Sequence, residues 1–205
     1  DVRRPLRSLL ETELPDVDQS NYSDAAIRAS AVRPAVDALP PLTKQKLAIR
    51  TSPGEPGQTC VHLVNPTQQD ATLIKQCTYG VVWVNSANAN AGGTALTLSV
   101  QTLDAWRELW VFKRDQDGWR VDVLPPSSAT LSPDIGYIDF AGWVPGGTQL
   151  LVARESRSDQ RYKKSFETLR MDTLATEKSA DHPNSLSTFY RWQDAVWKKN
   201  TLALR

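Results

Sequence analysis

Nothing in this 205-residue chain approaches the run of about 20 apolar residues that a membrane-spanning helix needs, so no membrane insertion is expected. Histidine and cysteine are scarce, with two of each. Neither Cys-x-x-Cys nor His-Glu-x-x-His occurs, which removes the common metal-ligand spacings. Cys60, His62 and Cys77 would still lack a fourth ligand for zinc. No Gly-x-Ser-x-Gly turn exposes a nucleophile, and no glycine-rich loop ends in the Lys that cradles phosphate. Charge is balanced, with 24 Lys and Arg against 23 Asp and Glu. That removes the basic footprint of a nucleic-acid binder. No catalytic residue, metal or cofactor is therefore expected. The chain opens on Asp1 without an initiator Met or signal peptide, which reads as a processed form or an excised fragment.

What is present points to β structure. The chain is long enough to bury a core without staples. Its seven Trp suit sheet faces and hairpin cores. Residues 1–41 read as a partly helical N-terminal extension. Leu6, Leu9 and Leu10 share one face of a short helix, and Ser23 or Asp24 can cap a second. Pro34, Pro40 and Pro41 break anything longer. From Leu42 to Arg205, short Val-, Leu-, Thr- and Trp-rich runs alternate with Gly, Asn, Asp and Pro turns.

Two units recur in that region. One is a strand with a Trp, a turn, then Thr-x-Leu-x-apolar or a close variant. It occurs at Val81–Asn85 with Thr94–Leu98, at Phe140–Val152, and at Tyr190–Asp194 with Asn200–Leu204. The other is a hairpin, at Val61–Cys77, Leu109–Val123 and Phe166–Glu177. Lys46–Arg50 adds a possible strand before the first hairpin. The units alternate, as expected for stacked four-stranded antiparallel blades, about three in number, with a β-sandwich as the alternative. Trp143-Val144-Pro145-Gly146-Gly147-Thr148-Gln149-Leu150-Leu151-Val152 resembles the blade repeat of TolB-type β-propellers. In that repeat a Trp-Ser-Pro-Asp-Gly turn joins the first two strands. Val144 and Gly146 depart from the pattern. The resemblance implies a partial propeller and carries over neither activity nor partner.

A turn centred between Gln68 and Gln69 sets Cys60 directly opposite Cys77. Opposed Cβ atoms lie ~4.5–5.5 Å apart, near enough for a disulfide after small adjustment; two reduced, packed thiols are the alternative. A disulfide would place the chain outside the cytoplasm, in a periplasm or secreted. Trp106, Trp110, Trp119, Tyr190, Trp192 and Trp197 could form exposed platforms for sugar or peptide, although strand positions favour the core for most of them. Arg154, Arg157, Arg161, Lys163 and Lys164 make a mildly basic hairpin tip, a solvated loop in the first reading and a surface for an acidic partner in the second. Asn85–Gly93 reads as a long loop, either binding or merely flexible. The expected function is a non-enzymatic scaffold or protein-interaction module of a larger extracytoplasmic assembly, with a protein partner or self-association. The alternatives are the accessory propeller of a hydrolase and a carbohydrate- or peptide-binding domain.

Overall fold

The computed structural model describes residues 15–35, 46–68, 71–127, 134–158 and 161–200. The expected helix at Arg3–Glu11 and the run Thr201–Leu204 lie outside them. The fold is mostly β, with a three-stranded sheet, an eight-stranded mixed sheet and a few short helices.

Helix α1 spans Asp16–Ala31. It begins directly after Pro15, earlier than the Ser23 or Asp24 start expected from capping. Proline is pre-set for a helix entrance, and Asp18 in the first turn favours its positive end. Asp24 is thereby placed mid-helix and turns outward to Arg157 and Tyr162. A short 3-10 turn, Arg33–Ala35, follows.

The strands are β1 Ala48–Pro53, β2 Thr59–Val64, β3 Thr72–Thr78, β4 Val81–Ala89, β5 Ala95–Leu103, β6 Trp106–Asp115, β7 Gly118–Leu124, β8 Ile135–Trp143, β9 Gln149–Ser158, β10 Arg161–Arg170 and β11 Thr176–Ala180. They form three antiparallel meanders: β1–β3, β4–β7 and β8–β11. Each expected hairpin is therefore present. The last two meanders are not separate units. A short parallel bridge, Trp106 to Gly136 and Arg107 to Tyr137, fuses them into the eight-stranded sheet. The described strands form these two sheets rather than a ring of blades.

Alternation along the strands explains the layering. On β6, Trp110 and Phe112 face Val61 and Leu63 of the small sheet. Leu109 and Val111 face Leu150, Val152 and Leu169 of the third meander. The opposite face of that meander carries Leu151, Ala153 and Phe166, which the helices cover. Helices cover the far face of the third meander, while the face of β1–β3 turned away from Trp110 and Phe112 carries Arg50, Ser52, His62 and Lys75 together with buried Cys60 and Val64.

Two expectations fail. Tyr190–Asp194 is not a strand: helices α2, Ser187–Trp192, and α3, Ala195–Asn200, occupy that region. Phe189 and Trp197 pack edge-on against Phe166, with ring centroids 5.7 and 6.3 Å away. Asp194 Oδ1 accepts the backbone N–H of Val196 and Trp197, the bonding of an N-cap. The Asn85–Gly93 loop is also shorter than expected, because β4 runs on to Ala89. An irregularity between Trp83 and Asn88 takes up the extra residues before pairing resumes. The weak strand preference of Asn, Ser and Ala is overridden by this pairing. Asn90 then closes the turn, accepting the N–H of Thr94 and Ala95.

Gly142 shows why the helical end sits where it does. A Cβ there would lie 2.5 Å from the Trp192 carbonyl oxygen, and Asp194 N–H donates to the Ala141 carbonyl at 2.7 Å. Gly142→Ala should cost about 1–3 kcal/mol through overpacking, read as a lower urea midpoint. An unchanged midpoint would show that the α2–α3 segment moves aside freely.

Candidate functional site

The structure brings together one pair that spacing did not reveal. Ser52 Oγ and His62 Nε2 lie 2.9 Å apart across β1 and β2, within reach for a nucleophile and base. The residues directly across the strands from His62 are Arg50 and Lys75. No group of three or more His, Cys, Asp or Glu able to hold a metal occurs among the described residues.

A second constellation is buried. Arg107 and Asp139 are each 1% exposed. Arg107 Nη2 donates to Asp139 Oδ1 at 2.7 Å and to the Ser30 carbonyl at 3.1 Å. Arg33 Nη2 lies 2.9 Å from Asp139 Oδ2. Burial alone would raise the Asp139 carboxyl, but Arg33 and Arg107 together hold it below its ordinary value. Burial pushes the Arg107 guanidinium down. The cluster ties α1 and the turn after it to β6 and β8. Its perturbed groups have a structural cause, since Arg107 bonds Ser30, Ser99 and Asp139 and stacks over Tyr137 at 5.4 Å.

The residues expected to bind divide sharply. Trp106 and Trp110 are 3% and 4% exposed, so they are not platforms, and half-buried Trp119 packs beside Trp110 and Phe112. Of the other expected platforms Trp197 is buried, whereas Tyr190 and Trp192 are exposed, as are Tyr79 and Tyr162. Arg157 is taken up internally, forming ion pairs with Asp24 and Asp134 that dock α1 on β9. Arg161 and Lys163 are exposed and Lys164 is half-buried. Cys60 and Cys77 form the disulfide, directly opposite one another as the hairpin count places them.

A strand-borne cleft of about 230 Å³ is lined by Arg154, Ser156, Lys163, Ser165, Glu167 and Thr176 with Pro126 and Ser127. Strand register explains it. Arg154 and Ser156 continue the face of β9 that carries Leu150 and Val152, and Lys163, Ser165 and Glu167 continue the Leu169 face of β10. The faces are apolar where they pack against β6 and polar beyond that packing. Of these residues Arg154 and Lys163 belonged to the expected basic tip; Ser156 and Ser165 carry no sequence signal. No family model, curated protein or solved structure matches the chain. The reading of function therefore rests on local chemistry.

Exposed apolar side chains also cluster. Tyr79, Val81 and Leu103 are 67%, 51% and 52% exposed. They lie on two touching segments, since Val81 pairs with Gln101 and a Cβ on Gly80 would meet the Gln101 carbonyl at 2.5 Å. Next to them β4 is an outermost strand of the large sheet, with Val84 exposed.

Proposed function

We propose that the chain is a non-enzymatic protein-interaction module of an extracytoplasmic assembly, its meanders being blades of the propeller type. The observation that carries this is the exposure of Tyr79, Val81 and Leu103 beside β4, which is outermost among the described strands of the large sheet. Large exposed apolar side chains on neighbouring segments mark interaction sites, and an outermost strand can offer further pairing. The resemblance of Trp143–Val152 to a propeller repeat supports the blade reading. There Gly146 and Gly147 take φ of 90° and 70° in the turn between β8 and β9, which glycine adopts without strain. The Cys60–Cys77 disulfide supports an oxidising compartment. No helix among the described residues is long and apolar enough to cross a membrane.

Because helices already cover the far face of the third meander, the interaction surface in this reading is lateral. Light scattering tests it, with a second copy as the first partner tried. The wild type should exceed the mass of one chain, and Val81→Asp or Leu103→Asp should return it to a monomer. A monomer at every concentration, unmoved by either substitution, would overturn the reading and favour a small ligand binder.

A further inference from the structure

We infer that the cleft between β9, β10 and β11 is a binding site for a carboxylate group of a larger ligand. The inference does not depend on the interaction surface proposed above. It begins with what each lining group has already committed. Glu167 accepts from Arg154 Nε at 3.1 Å, from Ser165 Oγ at 2.8 Å and from Thr176 Oγ1 at 3.2 Å. Its oxygens are largely used, and its charge balances Arg154. Arg154 Nη1 donates to the Pro125 carbonyl, so the guanidinium is held at two of its three nitrogens. Its Nη2 has no hydrogen-bond partner among the described residues.

Two further donors remain. Lys163 makes no ion pair or hydrogen bond among the described residues. Ser156 is 2% exposed and lies directly opposite Lys163 in the β-ladder. Its hydroxyl has no partner among the described residues, although it lines the cleft. The hydroxyl opens to the cleft, where a ligand oxygen can accept from it. The fixed charges of the cleft are Arg154 and Lys163 against Glu167, leaving one uncompensated positive charge. A singly charged anion with two oxygens matches the charge and the donors Nη2, Nζ and Oγ. A metal cation is disfavoured by the same arithmetic.

Size sets the ligand class. Sites that enclose a whole small molecule run to about 300–1,000 Å³, and this cleft is about 230 Å³. It takes one acidic side chain or terminal carboxylate, with the rest of the ligand outside. Mounting on paired strands keeps Arg154, Ser156 and Lys163 in place before binding, which limits the ordering cost.

Amide NMR titration of the intact, oxidised chain tests this with two probes. One is sodium acetate. The other is a short blocked peptide carrying a single Glu, with its Gln counterpart as control. Shifts should concentrate at Arg154, Ser156, Lys163 and Ser165. The Glu peptide should bind at least about 10-fold more tightly than the Gln peptide, the scale of one charge-assisted hydrogen bond. Lys163→Gln, at an exposed position, and Ser156→Ala should each weaken binding by about 10-fold while leaving the urea midpoint unchanged. Saturation by acetate with exclusion of the peptide would assign the site to a free small acid. Equal binding of Glu and Gln peptides, or an affinity unmoved by Lys163→Gln, would overturn the inference.

Discussion

Asp139→Ala is expected to lower the free energy of unfolding at pH 7 by about 3–5 kcal/mol, the usual cost of breaking a buried ion pair from one side. The carboxylate is almost fully buried and accepts from Arg107 while pairing with Arg33. Removing it strands the Arg107 guanidinium, itself 1% exposed, in a site that water does not reach. The loss comes from that uncompensated charge more than from the missing bond. Exchanging both partners, Arg107→Met with Asp139→Leu, should therefore recover much of it. Urea unfolding followed by Trp fluorescence reads both variants. A loss below about 1 kcal/mol for Asp139→Ala would mean that the cluster relaxes and is not a structural anchor.

The same cluster sets an acid limit. The folded Asp139 carboxyl is held below its ordinary value of 3.8. Its stabilisation is fully present above that value and is lost as pH falls through the lower, folded one. Asp134 adds to this in the same direction, because the hydrogen bond from Arg157 lowers it. Stability should thus be flat above about pH 5 and fall towards pH 2, with a shallower fall in Asp139→Ala. An equally steep fall in that variant would assign the acid limb to other carboxylates.

The second large effect belongs to the disulfide. Cys60 and Cys77 are 17 residues apart, and closing a loop of that size restricts the unfolded chain by about 3 kcal/mol. The bridge lies in the thinnest layer, the three-stranded sheet that covers Leu96, Leu98 and Phe112 from one side. Cys60→Ser with Cys77→Ser should lower the melting temperature by about 6–12 °C, at about 2–4 °C for each kcal/mol in a chain of this size. Local opening should appear first as faster amide exchange in β1–β3 than in β8–β10. Uniform acceleration across both sheets would show that the small sheet does not open by itself.

Much of the strand order was legible because hairpins are local. Asp115 and Gly118 bracket a turn whose chemistry is written in four adjacent residues, and Asp117 N–H donates to Asp115 Oδ1 as such turns require. Counting outward from Gln68 and Gln69 was enough to oppose Cys60 and Cys77. Tyr190–Trp192 misled because a Trp in a short apolar run suits a strand or a helix. The stronger signal was Asp194 ahead of Ala-Val-Trp, an N-cap before a helix. Trp106 and Trp110 were candidates for a surface role, yet both faces of β6 are covered and neither side chain is free.

The sequence by itself determined where the chain turns, which strands pair with their neighbours, and that two cysteines face each other. Those features depend on contacts between residues close along the chain. Tertiary structure alone decided that the meanders fuse through Trp106 and Arg107, that helices rather than strands cover the far face of the third meander, and that Arg154, Ser156 and Lys163 converge on one cleft. Alternation tells which residues share a face of a strand. It does not tell where the opposing layer ends, and at that boundary an inward-facing polar residue becomes either a buried structural partner or the wall of a site.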